Sequence, residues 1–314
     1  MKKITGSFPS VTGQALYCVS WVPDGKPVGV LQLVHGMAEH IERYDRPARA
    51  FAQAGWLVVG HTHLGHGDQA ELKGYFGKED GWQHLLDDIH TLRQRTVQEW
   101  PGLPYVLLGH SMGSFLARCY LTAHGEGLAG CILSGTGFFP PPVVGAGLAL
   151  ARLVCAAGGA EKPSPLINSI AFASNNKPFA SNGTGFEWLS RDEAEVARYA
   201  ADPNCGFLFT GRGYLDLFQG LRRLNDLDSL KRIPPQLPVL FCSGQRDPVG
   251  GMGTGVGTVA EQFKNAGLQH VQVKLYPECR HELFNELNRE QVYSDVLDWL
   301  SQISAAQRER SDAT

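Results

Sequence analysis

A serine lies between two glycines in the stretch GHSMG at residues 109–113. The run YVLLG before it is short and apolar, which is typical of a buried strand, and SMGSFLARCYLTAH follows a helical pattern. The glycines at either end allow a tight strand-to-helix turn, which presents Ser111 at the positive end of a helix. The pattern therefore predicts that Ser111 is a nucleophile in acyl transfer, because that position favours the negative charge that develops in the reaction.

A serine hydroxyl needs a base and an acid that orients the base. In folds with this turn, the acid and then the histidine follow later strands. Asp247 follows the strand-like run PVLFCSG, and His281 follows HVQVKLYP. Both are expected at the carboxyl ends of their strands, where sites in open α/β sheets collect. Glu278 is the rival acid, but it lies too close to His281 on the same loop to be preferred.

Two backbone N–H groups are needed to hold the negative charge on the carbonyl oxygen. One is expected from Met112, directly after the proposed nucleophile. The other is expected from Met37, in the loop HGMAEH that follows the strand-like run GVLQLV. Gly36 permits close approach of this loop, and His35 is expected to shape the loop rather than to act as a second base.

Three histidines fall close together in GHTHLGHGDQ at residues 60–69. Such a run can be a set of metal ligands, so the rival hypothesis is a metal-dependent hydrolase that uses His61, His63 and His66. The acidic ligand of comparable runs would fall at Gly65, which has no side chain, and no second cluster of ligand types follows in a comparable context. The sequence therefore predicts that the reaction uses neither a metal nor a cofactor.

Strand-like and helical stretches alternate along most of the chain, which predicts an α/β fold with a mostly parallel central sheet flanked by helices. Residues 137–235 interrupt this alternation with prolines, an apolar helical stretch and a zone rich in Pro, Asn, Ser and Gly. We interpret them as a mainly helical cap inserted between two parts of the core, 1–136 and 236–314. Within the cap, SRDE at 190–193 predicts a capping box with Ser190 as the N-cap.

Length, charge and cysteine content narrow the function further. The 314 residues are enough for one α/β domain with an insertion, and a net charge of −3 without blocks of like charge argues against a nucleic-acid partner. The N-terminus lacks the apolar stretch of a signal peptide, and residues 143–159 are too interrupted for a stable membrane anchor. Seven cysteines without a C-x-x-C pair are typical of reduced thiols, which favours a cytoplasmic protein. Nothing in the sequence indicates an oligomeric state.

Five stretches, in this order, resemble the monoacylglycerol lipase and lysophospholipase group of α/β-hydrolases: HGMAEHIERYDRPARAFAQAGW, LGHGD, LLGHSMGS, SGQRDPVG and YPECRHE. The resemblance covers nearly the whole chain. It implies the α/β-hydrolase fold with a helical cap, a catalytic triad of Ser111, Asp247 and His281, and oxyanion donors at Met37 and Met112. It also implies hydrolysis of carboxylic esters, often with one fatty acyl chain.

The resemblance leaves the substrate open, because the cap is the least transferable part of such a protein. A monoacylglycerol- or lysophospholipid-like lipid is the first hypothesis, and a short-chain carboxylesterase or an acyltransferase on the same site is the alternative. The apolar stretch at 143–158 either forms the core of the cap or lines an acyl tunnel and makes transient contact with lipid surfaces. Six aromatic residues are candidates for the acyl pocket: Phe138, Phe139, Phe172, Phe179, Phe186 and Trp188.

Overall fold

The computed structural model describes residues 1–172, 174–181 and 183–312. Its strands are β1 (Lys2–Pro9), β2 (Ala15–Val22), β3 (Gly29–Val34), β4 (Trp56–His61), β5 (Tyr105–His110), β6 (Gly130–Ser134), β7 (Val239–Gly244) and β8 (Val271–Tyr276). They form one sheet in the order β1-β2-β4-β3-β5-β6-β7-β8. The pairs β1–β2 and β2–β4 are antiparallel and the remaining pairs are parallel, which confirms the predicted mostly parallel sheet.

Helices connect the strands from β3 to β8, as the alternation in the sequence predicts. In the described part of the chain they are α1 (Asp45–Gln53), α2 (Gly81–Glu99), α3 (Met112–His124), α4 (Pro141–Val154), α5 (Pro165–Phe172), α6 (Glu193–Ala201), α7 (Gly211–Arg223), α8 (Leu227–Leu230), α9 (Thr254–Asn265) and α10 (Arg289–Asp312). Helices α4 to α8 all lie between β6 and β7. The interruption of the strand rhythm after β6 therefore corresponds to a run of helices.

The middle of the sheet is covered on both faces. Strands β3 to β7 are buried at every position, because parallel strands connected by helices lie between two layers. Side chains of β5 alternate between the two hydrophobic clusters: Tyr105 and Leu107 belong to one, and Val106 and Leu108 to the other. This double packing gives the loops at the carboxyl ends of the strands a rigid support.

Strand β1 is not predicted by the sequence. Most of its side chains are exposed, so KKITGSFP lacks the apolar alternation that marks a half-buried strand. It forms because it pairs along its whole length with β2, from Lys2 opposite Val22 to Pro9 opposite Ala15. The pairing is a tertiary property that the local pattern does not contain.

The predicted capping box with Ser190 is wrong. The N-cap of α6 is Asp192, whose carboxylate accepts hydrogen bonds from the N–H groups of Ala194 and Glu195. The Ser190 hydroxyl instead donates to the carbonyl oxygen of Asn285 at 2.9 Å. The local pattern assigns the Ser190 side chain to the N-terminus of the helix, but in the structure this side chain makes a long-range contact instead.

Helix α4 has one buried face and one exposed apolar face. Val144, Leu148 and Ala151 are buried, whereas Val143 and Leu153 are 59% and 69% exposed. Within the described ranges, one helical stretch, Pro141–Gly159, is long and apolar enough to cross a membrane by length and composition alone. Most of it is exposed, so the stretch carries an apolar surface that the rest of the protein does not cover.

Candidate active site

Ser111 lies in the turn between β5 and α3, with φ 54° and ψ −121°. A positive φ in a residue with a side chain costs roughly 1–3 kcal/mol, so the surroundings must hold it in place. A Cβ on Gly109 would overlap the carbonyl group of Gly113, and a Cβ on Gly113 would overlap the carbonyl group of Val34. Both glycines of the motif are thus required by close backbone packing, which holds the strained turn that presents Ser111.

His281 and Asp247 form a buried pair at the carboxyl ends of β8 and β7. His281 Nδ1 donates to Asp247 Oδ2 at 2.9 Å, and neither side chain is accessible beyond 2%. The carboxylate also accepts the N–H of Val249 at 2.9 Å and the hydroxyl of Ser243 at 3.3 Å. These bonds hold the carboxylate in place. His281 therefore keeps its proton on Nδ1 and leaves the lone pair of Nε2 available.

The surroundings of His281 favour proton uptake. Burial by itself would lower its pKa, but the negative charge of Asp247 and the hydrogen bond to it outweigh burial and raise the pKa above its ordinary value of 6.5. The ring of His110 lies 4.8 Å from that of His281, and burial lowers the pKa of His110 to about 3. His110 therefore stays neutral at working pH, and of these two rings only His281 is suited to take up a proton.

The Ser111 turn and the His281 loop meet directly after β6. The N–H of Ser111 donates to the carbonyl oxygen of Ser134 at 2.9 Å, and a Cβ on Gly135 would lie 3.0 Å from Cε1 of His281. Among the residues that the structure describes, neither the Ser111 hydroxyl nor Nε2 of His281 has a hydrogen-bond partner. Both groups are therefore free to interact with a bound molecule.

The loop after β3 packs against the Ser111 turn. A Cβ on Gly36 would lie only 3.1 Å from Cβ of Ser111, and Ala38 adopts a positive φ of 51° that turns the chain sharply. In the described part of the chain, the N–H groups of Met37 and Met112 donate no hydrogen bond. Stabilisation of an oxyanion requires two unpaired donors. Here one lies directly after Ser111 and the other lies on the loop that contacts it.

A buried charge network, which sequence reasoning missed, connects this loop to the His281 loop. Arg43 donates two parallel hydrogen bonds to Glu282 at 2.7 Å each and a third to Glu39. Glu39 in turn accepts the N–H of Gly36 at 2.6 Å. Burial alone would raise the pKa of Glu282, but the charge of Arg43 and its hydrogen bonds lower that pKa to about 2. Arg43 thus joins the loop beside Ser111 to the residue after His281.

We expect Arg43→Met to destabilise the fold by about 3–5 kcal/mol, because removal of one partner leaves buried carboxylates without a counter-charge. Urea unfolding at neutral pH measures this loss. Arg49→Met is the control, because Arg49 is exposed on α1 and its partner Asp45 also pairs with Lys3, so this variant should have little effect. A loss for Arg43→Met no larger than that of the control would contradict the structural role of the network.

His35 and one of the clustered histidines, His66, hold the loop that contains Met37. His66 Nε2 accepts the N–H of Ala38 at 3.3 Å, while its Nδ1 donates to the carbonyl oxygen of Leu64 at 2.9 Å. His35 Nδ1 donates to the carbonyl oxygen of Gly36 at 2.9 Å. The role expected for His35, shaping the loop, is in keeping with this contact, and His66 adds a second contact at the positive-φ residue.

All but one of the remaining ring nitrogens of the cluster are paired, in a chain that includes His35. His63 Nε2 donates to the carbonyl oxygen of His35 at 3.2 Å, so its Nδ1 accepts from Nε2 of His61, also at 3.2 Å. His35 Nε2 accepts the N–H of His63 at 3.0 Å. Burial lowers the pKa of His61 to about 3 and that of His66 to about 4. The rings are therefore neutral, and their tautomers are set by their neighbours.

The hydrogen bonds of these rings argue against the rival hypothesis of a metal held by His61, His63 and His66. Of their six ring nitrogens, only Nδ1 of His61 is without a partner among the described residues. A three-histidine metal site would have to break the hydrogen bonds that support the loop beside Ser111. The spacing that suggests a metal is explained by a structural role instead.

The rival acid Glu278 lies away from the His281–Asp247 pair. Its side chain is 67% exposed and forms an ion pair with Arg246 at 3.4 Å. Its backbone has a positive φ of 60°, so it is a turn residue on the loop between β8 and His281. Asp247, rather than Glu278, contacts the imidazole.

The six aromatic candidates for the pocket fall into two groups. Trp188 lies with its ring 4.9 Å from the ring of His281, and Phe139 lies 5.3 Å from Phe115 of α3, next to the partly buried Phe138. The other three pair elsewhere in the insertion or with the His281 loop: Phe172 with Tyr214, Phe179 with Arg280 and Phe186 with Tyr199. Only Trp188 directly contacts the proposed triad through its ring.

A protein-family profile described as serine aminopeptidase, S33, matches residues 25–288, which include Ser111, Asp247 and His281. The chain belongs to this family. The match covers strands β3 to β8 and all helices between β6 and β7. The S33 family assignment and the eight-stranded sheet together confirm the α/β-hydrolase fold that the sequence motifs predict.

Similar proteins within this group cover almost the full length of the chain. The monoacylglycerol lipase of Mycolicibacterium smegmatis is 30% identical over 94% of this chain and 95% of its own. The monoglyceride lipase of Homo sapiens is 29% identical over 93% and 89%. A solved structure of a thermostable carboxyl esterase from Bacillus coagulans in complex with glycerol superposes with a TM-score of 0.90 at 30% identity, over 97% of this chain and 99% of that one. The predicted resemblance and the predicted class of enzyme, a carboxylic ester hydrolase, are confirmed.

Proposed function

We propose that this S33-family protein hydrolyses carboxylic esters with one fatty acyl chain, such as monoacylglycerols or lysophospholipids, through Ser111, His281 and Asp247. The observation that carries the proposal is the strained turn at Ser111 next to the loop that bears the buried His281–Asp247 pair. The names of similar lipases support the substrate class. The reaction needs no cofactor, because all groups for acyl transfer are side chains or backbone N–H groups of this chain.

In the first half of the reaction, the Ser111 hydroxyl attacks the ester carbonyl. His281 Nε2 takes the serine proton as the bond forms, and Asp247 stabilises the resulting imidazolium through the bond to Nδ1. The carbonyl oxygen becomes negative, and the N–H groups of Met37 and Met112 hold it. His281 then gives its proton to the leaving alcohol, which leaves an acyl group on Ser111.

In the second half, water replaces the alcohol. His281 accepts a proton from the water as it attacks the acyl carbonyl, and the same two N–H groups again hold the oxyanion. Collapse of this intermediate returns the proton to Ser111 and releases the fatty acid. An acyltransferase would differ only in the acceptor that replaces water, so addition of a small alcohol and analysis for a new ester measures that side activity.

We propose that residues 137–235 form a cap over this site. The support is that Trp188, from this segment, lies against His281, and that the N–H of His281 donates to the carbonyl oxygen of Trp188. An apolar wall next to the imidazole would exclude water and bind an acyl chain. Phe138 and Phe139, at the start of the segment and next to α3, are the next candidates for that wall.

A hydrolysis panel tests the substrate class. Monoacylglycerols of increasing chain length, lysophospholipids and soluble short-chain esters are compared by kcat/KM, each with and without a chelator. The proposal predicts the highest values for long monoacyl esters and no change with the chelator. A preference for short esters would favour the alternative of a carboxylesterase, which the likeness to the Bacillus coagulans carboxyl esterase keeps open. Loss of activity on chelation would contradict the metal-free mechanism.

We also propose that the exposed apolar face of α4 and α5 contacts lipid surfaces. Its members are Val143, Leu153, Leu166 and Ile170, each more than half exposed. Withdrawing a leucine-sized side chain from an apolar surface costs roughly 1.5–3 kcal/mol of binding free energy. Leu153→Asp should therefore lower activity on vesicle-borne monoacylglycerol about 10-fold or more.

The same variant should hydrolyse a soluble short ester at the wild-type rate, because Leu153 is too exposed to support the fold. Val97→Asp, an exposed apolar position on α2, is the matched control and should leave both rates unchanged. Equal loss of activity on both substrates for Leu153→Asp would contradict a role in surface contact.

The seven cysteines are all free thiols, which supports the proposal that the protein works in a reducing compartment such as the cytoplasm. Fractionation of cells that express the protein, with thiol labelling before lysis, tests this. Recovery in the soluble cytoplasmic fraction is expected, and an extracellular protein with blocked thiols would contradict it.

A further inference from the structure

Three side chains of metal-ligand type meet outside the proposed catalytic site. His40 lies on the loop after β3, and Asp202 and Cys205 lie on the turn after α6. One ligand atom from each, an imidazole nitrogen, a carboxylate oxygen and a sulfur, lies within 4.8 Å of the other two, and all three residues are half-buried. His40 Nε2 is 2.9 Å from Asp202 Oδ2. The proposed reaction uses none of these groups.

The backbone holds these ligands in place before any ion binds. The carboxylate of Asp202 accepts the N–H of Asn204 at 2.8 Å, and the carbonyl oxygen of Asp202 accepts the N–H of Cys205 at 3.0 Å, so the turn presents both side chains together. The N–H of Gly206 donates to the carbonyl oxygen of Ala38 at 2.9 Å, which fastens this turn to the loop that bears His40. A cation would therefore require little additional ordering of the chain.

The charges around Cys205 also favour a cation. The carboxylates of Glu39, Asp202 and Glu282 and the guanidinium of Arg43 are charged groups near its sulfur. Lys73 adds a second cation, since its Nζ lies 2.6 Å from the carbonyl oxygen of Pro203 on the same turn, so three carboxylates against two cations leave a small excess of negative charge. The same field that disfavours a thiolate without a counter-ion attracts a divalent ion, which can displace the thiol proton.

We propose that His40, Asp202 and Cys205 bind a divalent transition-metal ion, with zinc as the best match. A set of one nitrogen, one carboxylate oxygen and one sulfur suits this ion of intermediate softness, whereas calcium and magnesium take oxygen ligands. On binding, Cys205 loses its proton to solvent and forms a sulfur–metal bond. His40 stays neutral and carries its proton on Nδ1 when Nε2 binds, so one proton is released for each ion.

A cleft borders this cluster at His40. Its volume is ≈ 340 Å³, and His40 and Asn204 are among the residues that line it. Within the described ranges, Oδ1 of Asn204 is buried and has no hydrogen-bond partner, and Nδ2 of the same amide donates to Asp68 at 2.6 Å. This oxygen can accept a hydrogen bond from a water molecule that completes the coordination of the ion.

Metal titration of the chelator-treated full chain tests the site without any assay of activity. We expect one zinc ion per chain after dialysis, release of one proton per ion in weak buffer, and a sulfur-to-metal charge-transfer band with Co²⁺. Cys205→Ser should remove the charge-transfer band. It should also weaken zinc binding by more than the roughly 10–100-fold that loss of an outer-shell partner costs.

Cys155→Ser is the matched control, because Cys155 is another half-buried free thiol in the segment between β6 and β7, and this variant should bind zinc like the wild type. His40→Gln is the second ligand variant and also decides the question if Cys205→Ser unfolds. Absence of zinc binding in the wild type, or full binding retained in either ligand variant, would overturn the proposal. None of these readouts depends on the proposed ester hydrolysis, so the failure of one proposal can be distinguished from the failure of the other.

Discussion

Ser111→Ala should lower kcat for ester hydrolysis by roughly 10³–10⁶-fold while the protein stays folded. The hydroxyl oxygen is the atom that forms the acyl bond, and no neighbouring group can replace it. The backbone turn is held by Gly109 and Gly113 rather than by the serine side chain, so the variant keeps its local structure. Initial rates on a long-chain monoacylglycerol, with thermal unfolding as a check of the fold, measure the effect.

Ser114→Ala is the matched control for this result. Ser114 is buried on the first turn of α3, and its hydroxyl donates to the carbonyl oxygen of Ser111 at 2.6 Å. This hydroxyl is already bonded within the protein, so its removal should cost far less activity than loss of the Ser111 hydroxyl. Activity that survives in Ser111→Ala, or that is lost equally in both variants, would contradict the role of Ser111 as nucleophile.

Asp247→Asn should lower kcat by about 10⁴-fold, because the imidazole of His281 then loses its orientation and the charge that stabilises its protonated form. It should also change the pH profile. In the wild type, activity falls as the pH drops through the pKa of His281, which Asp247 raises above 6.5. In the variant, burial still lowers this pKa and only the weaker influence of the Glu282 and Glu39 charges opposes it, so the acid limb of the residual activity should move to lower pH.

This shift is tested by measuring kcat/KM as a function of pH for the wild type and the variant, within the pH range in which both stay folded. Glu278→Gln is the control for the rival acid, since Glu278 is exposed and contacts Arg246 rather than His281. Its profile should match that of the wild type. A wild-type acid limb in Asp247→Asn together with a shifted limb in Glu278→Gln would show that Glu278, and not Asp247, is the acid that orients His281.

The sequence allows a candidate site to be proposed where its chemistry depends on local backbone geometry. Gly109 and Gly113 are needed because backbone atoms meet there without room for a Cβ, and a motif of five residues contains that requirement. Asp247 and His281 can be found because each follows a strand-like run, and parallel strands bring their carboxyl ends to one edge of the sheet. Strands β3 to β7, which are buried at every position, are visible as short apolar runs, whereas β8 is mostly exposed.

Contacts between distant segments are what the sequence does not reveal. Arg43 and Glu39 have the spacing of a helical ion pair, but nothing local indicates that Glu282, 239 positions later, completes the network. Strand β1 exists through its pairing with β2, and Ser190 bonds to Asn285 rather than capping α6. In each case a long-range partner competes with a local pattern and determines the structure.

The histidine run also shows what the sequence does not reveal, because here a local pattern suggests a metal site that the pairing of the rings argues against. His61, His63 and His66 have the spacing of metal ligands, but spacing does not reveal which ring nitrogens are already paired. Burial and hydrogen bonds make these rings neutral supports of the Met37 loop. The three groups from which we infer a metal site, His40, Asp202 and Cys205, are separated by more than 160 positions at their extremes and form no motif.

Covalent labelling by a fluorophosphonate tests the central claim most directly, because the reagent requires an activated serine and a site that accepts a tetrahedral oxyanion. Intact mass and peptide mapping of the labelled protein identify the position. We expect one adduct per chain, located on Ser111, formed more slowly as the pH falls through the pKa of His281 and absent in Ser111→Ala. An adduct on any other residue, or one that forms equally in Ser111→Ala, would contradict the assignment of Ser111 as the nucleophile.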